Sequence, residues 1–310
     1  MRQTALTTVY ELAKLDSRVV FIGSDLGAGT LEQMRSELPK QFFMEGISEQ
    51  HVVGFAAGLA QEGFIPFVNT IGTFLTRRSF EQVSIDVGLH NLPVRLLASG
   101  GGMVYAPLGP THTAIEDLSL MLSVPNVKVF APTDAIEMQK LLHASIEDSA
   151  PYYIRFGKGG ESIVTESFDS FDFQPKIFGN ETGEVVLLTT GVMVQHSLEA
   201  KKILSASGIS SVVVHFPYLN NLNIGMLSPL IDSAEILICI EEHVPRGGLL
   251  TQVLHSFMET RQFKSNLYQL SLPSGFTHNY GSQLDHLEMH GLTGKGIASN
   301  AMELLKSKRR

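Results

Sequence analysis

Three short stretches of this sequence set groups that can hold or move a proton among small, apolar or turn-forming residues. Gly46-Ile47-Ser48-Glu49-Gln50-His51 places a carboxylate just ahead of a run carrying Gly54, Ala56, Ala57, Gly58 and Ala60. Gly72-Thr73-Phe74-Leu75-Thr76-Arg77-Arg78-Ser79-Phe80 combines aromatic rings with guanidinium groups, and Gly109-Pro110-Thr111-His112 offers an imidazole on a turn. Taken singly, each has an ordinary explanation. A glutamate in the first turn of a helix is favoured by the helix dipole alone, and histidines in loops are commonplace. Phe74 and Phe80, six residues apart, do not share one helical stripe. Other catalytic signatures are missing from the sequence. Gly100-Gly101-Gly102 follows an apolar run, yet no Gly-x-Gly-x-x-Gly opens a helix and no Gly-Lys-Ser/Thr occurs. The 11 histidines form no His-Glu-x-x-His pair, and there is no Gly-x-Ser-x-Gly turn.

The elements that must carry these groups alternate between short β-branched runs and longer amphipathic segments. Residues 19–23, 66–69, 94–98, 127–131 and 152–155 read as strands, and 48–61, 74–89 and 135–146 as helices. The small side chains of 48–61 let that helix approach a neighbour closely. The first strand closes on the turn-prone Ser24-Asp25-Leu26-Gly27-Ala28-Gly29. The rhythm breaks over 162–177, where Phe168-Asp169-Ser170-Phe171-Asp172-Phe173-Gln174-Pro175 is neither helical nor alternating and reads as a connector. A second series follows: strands at 184–189, 211–215 and 236–240, helices at 194–207 and 248–260, and a closing helix at 293–306. Strands alternating with helices predict an α/β fold with a mostly parallel sheet covered on both faces. Two domains are expected, 1–165 and 184–310, with a linker over 166–183.

Bulk properties agree with a globular chain and narrow its partners. The 310 residues are 44% hydrophobic and 17% charged, with a net charge of −8. No polyanion-binding surface is expected, so no nucleic-acid partner; the basic run Lys306-Ser307-Lys308-Arg309-Arg310 reads as a frayed, solvated tail. The single cysteine, Cys239, lies in an apolar strand and reads as core, which leaves no disulfide framework and no cysteine metal cluster. No apolar run is long enough to cross a membrane, and the first residues lack the apolar stretch of a signal peptide. A cytoplasmic protein is expected.

Read together and in order, the motifs resemble those of the transketolases and 1-deoxyxylulose-5-phosphate synthases. Phe43-Met44-Glu45-Gly46-Ile47-Ser48-Glu49-Gln50-His51 with the small-residue run after it is similar to that superfamily's catalytic-glutamate segment. Thr73-Phe74-Leu75-x-Arg77 with Phe80 resembles its aminopyrimidine-contact segment, and Gly109-Pro110-Thr111-His112 its substrate-side histidine loop. Ile240-Glu241-Glu242-His243 followed by Gly247-Gly248-Leu249 resembles its C-terminal domain. The resemblance thus covers essentially the whole chain and implies a pyrimidine-binding domain followed by a transketolase C-terminal-like domain.

That resemblance implies thiamine diphosphate as cofactor. A carboxylate on the pyrimidine nitrogen opposite the amino group favours the tautomer that removes the thiazolium proton within the cofactor, and Glu49 takes that role. Phe74 and Phe80 are implied as an apolar wall for the aminopyrimidine, Arg77 as a cofactor or phosphate contact, and Asp25 as the aspartate of the family's Ser-Ala-Asp-Leu turn. His112 would face the donor sugar, and Arg155 would take a substrate phosphate in its guanidinium fork. The family holds Mg²⁺ through a Gly-Asp-Gly segment and a later asparagine, and neither pattern occurs here. No metal ligand is therefore expected on this chain. A partner, an N-terminal transketolase subunit with the diphosphate domain, would hold Mg²⁺ in an α2β2 assembly. The expected activity is transfer of a two-carbon ketol unit between sugar phosphates or nucleotide-linked sugars. One departure stands at the substrate loop. Transketolases carry an acidic pair before Gly-Pro-Thr-His, whereas Leu108 here cannot accept a hydrogen bond, which favours a deoxygenated or modified sugar. Two other readings remain: a β-like subunit of a 2-oxoacid dehydrogenase or decarboxylase, and a non-catalytic homo-oligomeric binding protein. The Gly-Pro-Thr-His loop speaks against the first, and the intact Glu49 and His112 against the second.

Overall fold

Five-residue runs such as Val19–Gly23 and Arg95–Ser99 are buried along their whole length, the pattern of strands covered on both faces. The structure is a computed structural model that describes residues 1–25, 29–168, 171–180, 182–260 and 266–310. Its first domain holds α1 (Arg2–Leu15), β1 (Val19–Gly23), α2 (Glu32–Glu37), β2 (Phe42–Met44), α3 (Glu49–Gln61), β3 (Ile65–Ile71), α4 (Gly72–Thr76), α5 (Phe80–Gln82), β4 (Arg95–Ser99), α6 (Asp117–Leu122), β5 (Lys128–Phe130), α7 (Ala135–Ser145) and β6 (Tyr152–Phe156). The six strands are all parallel, in the order β2-β1-β3-β4-β6-β5. Alternation along the strands sorts the core. Phe21, Phe67, Leu97 and Ile154 pack with Leu6 and Val9 of α1 and Leu141 of α7. Ile22, Val68, Leu96 and Tyr153 pack with Val52, Val53 and Ala56 of α3.

The second domain holds β7 (Lys176–Phe178), β8 (Val185–Thr189), α8 (Met193–Ala206), β9 (Ser211–His215), α9 (Ser228–Ser233), β10 (Ile236–Ile240), α10 (Leu249–Thr260), β11 (Leu267–Leu270), α11 (Gln283–Met289) and α12 (Gly294–Lys308). Its sheet runs β11-β10-β8-β9-β7, parallel except for β7, which caps one edge antiparallel to β9. Cys239 is fully buried in β10. Among the described residues no helix is long and apolar enough to cross a membrane.

Three expectations change. The apolar periodicity over 74–89 does not produce one helix: the chain leaves α4 at Arg77, and a π-helical stretch, Val83–Leu89, follows α5. Buried Ser79 donates to the Phe74 carbonyl at 3.1 Å across the break. The connector is not wholly irregular, since its end supplies β7; Asp169 and Ser170 of that segment lie outside the described residues, as do Leu26, Gly27 and Ala28 of the turn after β1. The basic tail is not frayed. Residues to Lys308 are helical, and Arg309 pairs with Glu184 at 2.5 Å and Glu235 at 2.6 Å.

Asp134 anchors the exit from the first domain. Its carboxylate caps α7 through the Glu137 N–H at 2.9 Å and accepts from the Val164 and Thr165 N–H groups and the Thr165 hydroxyl. Burial pushes this carboxyl up, but those four donors outweigh it and hold it below its ordinary value. A depressed carboxyl stabilises the fold above its unfolded value and loses that contribution as pH falls through the folded one. Asp134→Ala should therefore cost about 2 kcal/mol at pH 7 and flatten the acid limb of the stability curve, as urea titrations at pH 7 and in acid would show.

Candidate active site

Strand order reverses direction between β1 and β3, and crevices at the carboxyl ends of such strands are where open α/β sheets bind ligands. The residues there are polar and buried. Ser24 follows β1, Thr70 lies at the end of β3, and Glu49 opens α3 after a turn in which Gly46 takes φ +76°. The Ser24 hydroxyl donates to Thr70 Oγ1 at 2.8 Å, and Thr70 donates to Glu49 Oε1 at 3.4 Å. Glu49 is 1% exposed. Its other oxygen, Oε2, accepts from Arg78 Nη1 at 2.9 Å. A buried carboxylate at a helix N-terminus, fixed by a chain of hydroxyls, is more specific than the helix dipole alone demands.

Phe74, half-buried on α4, links Glu49's surroundings to the histidine loop. Arg78 Cζ sits 3.9 Å from the Phe74 ring centroid, and the His112 ring meets Phe74 edge-on at 5.2 Å. His112 is oriented by Thr111 Oγ1, 2.9 Å from Nδ1, and by its own N–H to the Gly109 carbonyl. Gly109 is required here: φ is +81°, and a Cβ would lie 3.2 Å from the Tyr280 ring. Arg77 does not reach the Glu49 crevice. It donates to Glu116 through Nε and Nη2, and to the Pro110 carbonyl at 2.9 Å, so it braces the loop that bears His112. Leu108, Phe276 and Tyr280 are more than half exposed around that loop.

The remaining sequence candidates lie elsewhere or touch the site at its margin. Phe80 packs against the apolar core beside α3. Asp25 is exposed and accepts from Ser24 at 3.1 Å. Arg155 is 8% exposed at the domain junction, where Nη2 donates to the Glu242 carbonyl at 2.7 Å and Nε lies 3.4 Å from Asp117. Glu242 in turn accepts from the Met103 N–H and from Gln283. Burial raises the Glu242 carboxyl, and the Arg155 guanidinium pulls it part of the way back. This network also accounts for two of the three glycines at 100–102: a Cβ on Gly101 would meet Arg155 at 2.2 Å and one on Gly102 would meet Glu242 at 2.3 Å, whereas one on Gly100 would meet the Tyr105 ring at 2.0 Å. The Glu241-Glu242-His243 run is likewise a joint. Glu241 accepts from the first N–H groups of α10, and His243 Nε2 accepts from the Ser119 N–H.

Arg78, Thr70, Ser24, Asp117 and Glu116 are the hydrogen-bond or ion-pair partners of these side chains and were not singled out from sequence. Arg78 alone carried a signal, as a second guanidinium inside the aromatic motif. Among the described residues no group of three or more His, Cys, Asp or Glu side chains could hold a metal ion.

The transketolase pyrimidine-binding-domain model matches residues 1–160, and the transketolase C-terminal-domain model matches 178–297. A 1-deoxy-D-xylulose-5-phosphate synthase from Dictyoglomus thermophilum is 33% identical over 299 residues, covering 96% of this chain and 48% of the relative. One from Prochlorococcus marinus is 31% identical over 297 residues, covering 94% of this chain and 46% of the relative. The chain thus spans about half the length of the curated relatives it matches. Among solved structures, a split-gene transketolase described as an inactive β4 tetramer is 28% identical with a TM-score of 0.87, covering 99% of this chain and 98% of that one. A transketolase mutant from Pichia stipitis, 16% identical with a TM-score of 0.81, shares the fold over 98% of this chain and 45% of its own.

Proposed function

This chain belongs to the transketolase family, and we propose that it is the cofactor-activating part of a thiamine diphosphate transferase completed by a partner subunit. The observation that carries this reading is Glu49: a carboxylate 1% exposed at the β1/β3 crevice, with an aromatic face nearby. That donor set fits the pyrimidine end of the cofactor. A buried carboxylate can share a proton with a ring nitrogen, and Phe74 can lie against a flat heteroaromatic ring. It does not account for the diphosphate end, because the sequence carries no Gly-Asp-Gly segment with a later asparagine of the kind that holds Mg²⁺ in this family. Assigning Mg²⁺ and the diphosphate to a partner subunit, in an α2β2 assembly, resolves the difference. The similarity to a split-gene transketolase chain over nearly its whole length supports that division.

When bound, thiamine diphosphate supplies a thiazolium carbon that can act as a nucleophile. Glu49 holds the proton at the pyrimidine nitrogen, with Thr70 and Ser24 fixing its carboxylate. Phe74 excludes water from one face of the crevice. His112 holds or moves a proton at a substrate hydroxyl, and Arg77 braces its loop through Pro110 and Glu116. The reaction proposed is transfer of a two-carbon ketol unit between sugar phosphates or nucleotide-linked sugars. Leu108, exposed on the histidine loop, offers no hydrogen bond to a sugar hydroxyl, which favours a deoxygenated or modified substrate.

Calorimetry with thiamine diphosphate and Mg²⁺ tests the reading, on this chain alone and mixed with a candidate chain carrying the diphosphate domain. Binding in the mixture only is expected. Tight binding by this chain alone would sink the shared site, and no binding in either would sink the cofactor. In the active mixture, a deoxy sugar should outpace its hydroxylated counterpart; equal rates would remove the role given to Leu108.

A further inference from the structure

Arg78 follows Phe74 by four residues, and Arg77 between them keeps helical φ and ψ, so the Arg78 guanidinium lies over the ring of Phe74. Two contacts result. The guanidinium carbon lies 3.9 Å from the ring centroid, and Nη1 donates to Glu49 Oε2 at 2.9 Å. A guanidinium is flat, delocalised and rich in N–H donors. It therefore presents to Glu49 and Phe74 what an aminopyrimidine would present: a planar face for the ring and a nitrogen for the carboxylate. The two partners differ in access. Glu49 is 1% exposed, whereas the Arg78 side chain is 39% exposed and can swing into water without unpacking the core. Neighbouring Arg77 cannot take its place, because Glu116 and the Pro110 carbonyl hold its guanidinium.

We propose that Arg78 and the aminopyrimidine ring of thiamine diphosphate are alternative occupants of one slot between Glu49 and Phe74. This rests on the cofactor reading above and adds to it a positioning residue. Arg78 keeps the buried carboxylate paired and Phe74 covered, and it must leave both before the cofactor ring can be seated. Cofactor affinity then includes the loss of the Arg78 contacts, so removing the side chain strengthens binding of the ring instead of weakening it. A guanidinium that merely stabilised the site, or that contacted the cofactor directly, would give the opposite sign.

The full-length chain can be tested with the pyrimidine fragment, 4-amino-5-hydroxymethyl-2-methylpyrimidine, which needs no diphosphate site, by ligand-observed NMR titration. Arg78→Ala should bind the fragment at least 5-fold more tightly than wild type, about 1 kcal/mol at 1.4 kcal/mol per tenfold. Arg78→Lys, which keeps the charge but not the flat fork, should fall between them. Glu49→Gln in the Arg78→Ala background should abolish the gain, and melting curves would establish that each variant is folded. Equal or weaker binding by Arg78→Ala overturns the proposal. If Glu49→Gln still weakens the fragment in that case, the cofactor reading stands without it. Fragment binding indifferent to Glu49 would take down the cofactor reading itself. Should Arg78→Ala prove unfolded, Arg78→Gln, which keeps the stem out to the Nε position but lacks the guanidinium and cannot form the ion pair, carries the same comparison.

Discussion

Glu49→Gln should lower kcat of the assembled enzyme by about 10²- to 10⁴-fold, the range lost when a positioned acid–base group is removed. The substitution keeps the shape of the side chain, so the crevice should stay closed. Under the proposed function it removes the group that takes up and returns a proton at the pyrimidine nitrogen. It also ends the ion pair with Arg78, but that side chain can be solvated, and the melting temperature should shift little. Glu49→Asp is the complementary variant. It keeps the charge but withdraws the carboxylate by one methylene from a position fixed by Thr70, and misplacement on that scale costs about 10²-fold. Steady-state rates with melting curves decide the matter. A folded Glu49→Gln protein with unchanged kcat would show that the carboxylate is only a buried helix-terminal residue.

How far the sequence could be read depended on whether the signal was local. The strands around Val19–Gly23 and Ile236–Ile240 were legible because burial on both faces writes a continuous apolar run into the chain. Glu49 was legible because its small-residue helix and preceding turn are contiguous with it. Periodicity failed over 74–89, where the break after α4 is held by Ser79 and the apolar pattern continues through it. Partner identity was the other gap. Nothing near Arg155 in sequence announces Asp117 or Glu242, which lie 38 and 87 positions away. The short α2, α6 and α11 lacked the length for a periodic signal. Gly100-Gly101-Gly102 follows an apolar run as a phosphate loop would, although Gly101 and Gly102 are constrained by Arg155 and Glu242 reaching in from elsewhere, and Gly100 by the nearby Tyr105 ring.

Arg155→Met should destabilise the chain by about 3–5 kcal/mol, the cost of leaving a buried ion pair with one partner. Arg155 is nearly enclosed, and its removal leaves Asp117 in a fully buried site, where the Tyr153 hydroxyl donates to Oδ2 at 2.8 Å but brings no positive charge. It also strips the Glu242 carbonyl of a donor and deprives the Glu242 carboxyl of the cation that offsets its burial. The effect should depend on pH in a definite direction. Glu242 already titrates above its ordinary value, so the folded state binds more protons than the unfolded one through that window, and its contribution to stability falls as pH rises. Without Arg155 the carboxyl rises further. The penalty should therefore be larger near pH 8 than near pH 5, as paired urea titrations would reveal. A phosphate-binding arginine would behave otherwise: Arg155→Met would raise KM for a phosphorylated substrate and leave stability nearly untouched at either pH. Because Arg155 touches Glu242 and Asp117 on opposite sides of the domain junction, a large stability loss would identify it as the clamp that holds the second domain against the His112 loop.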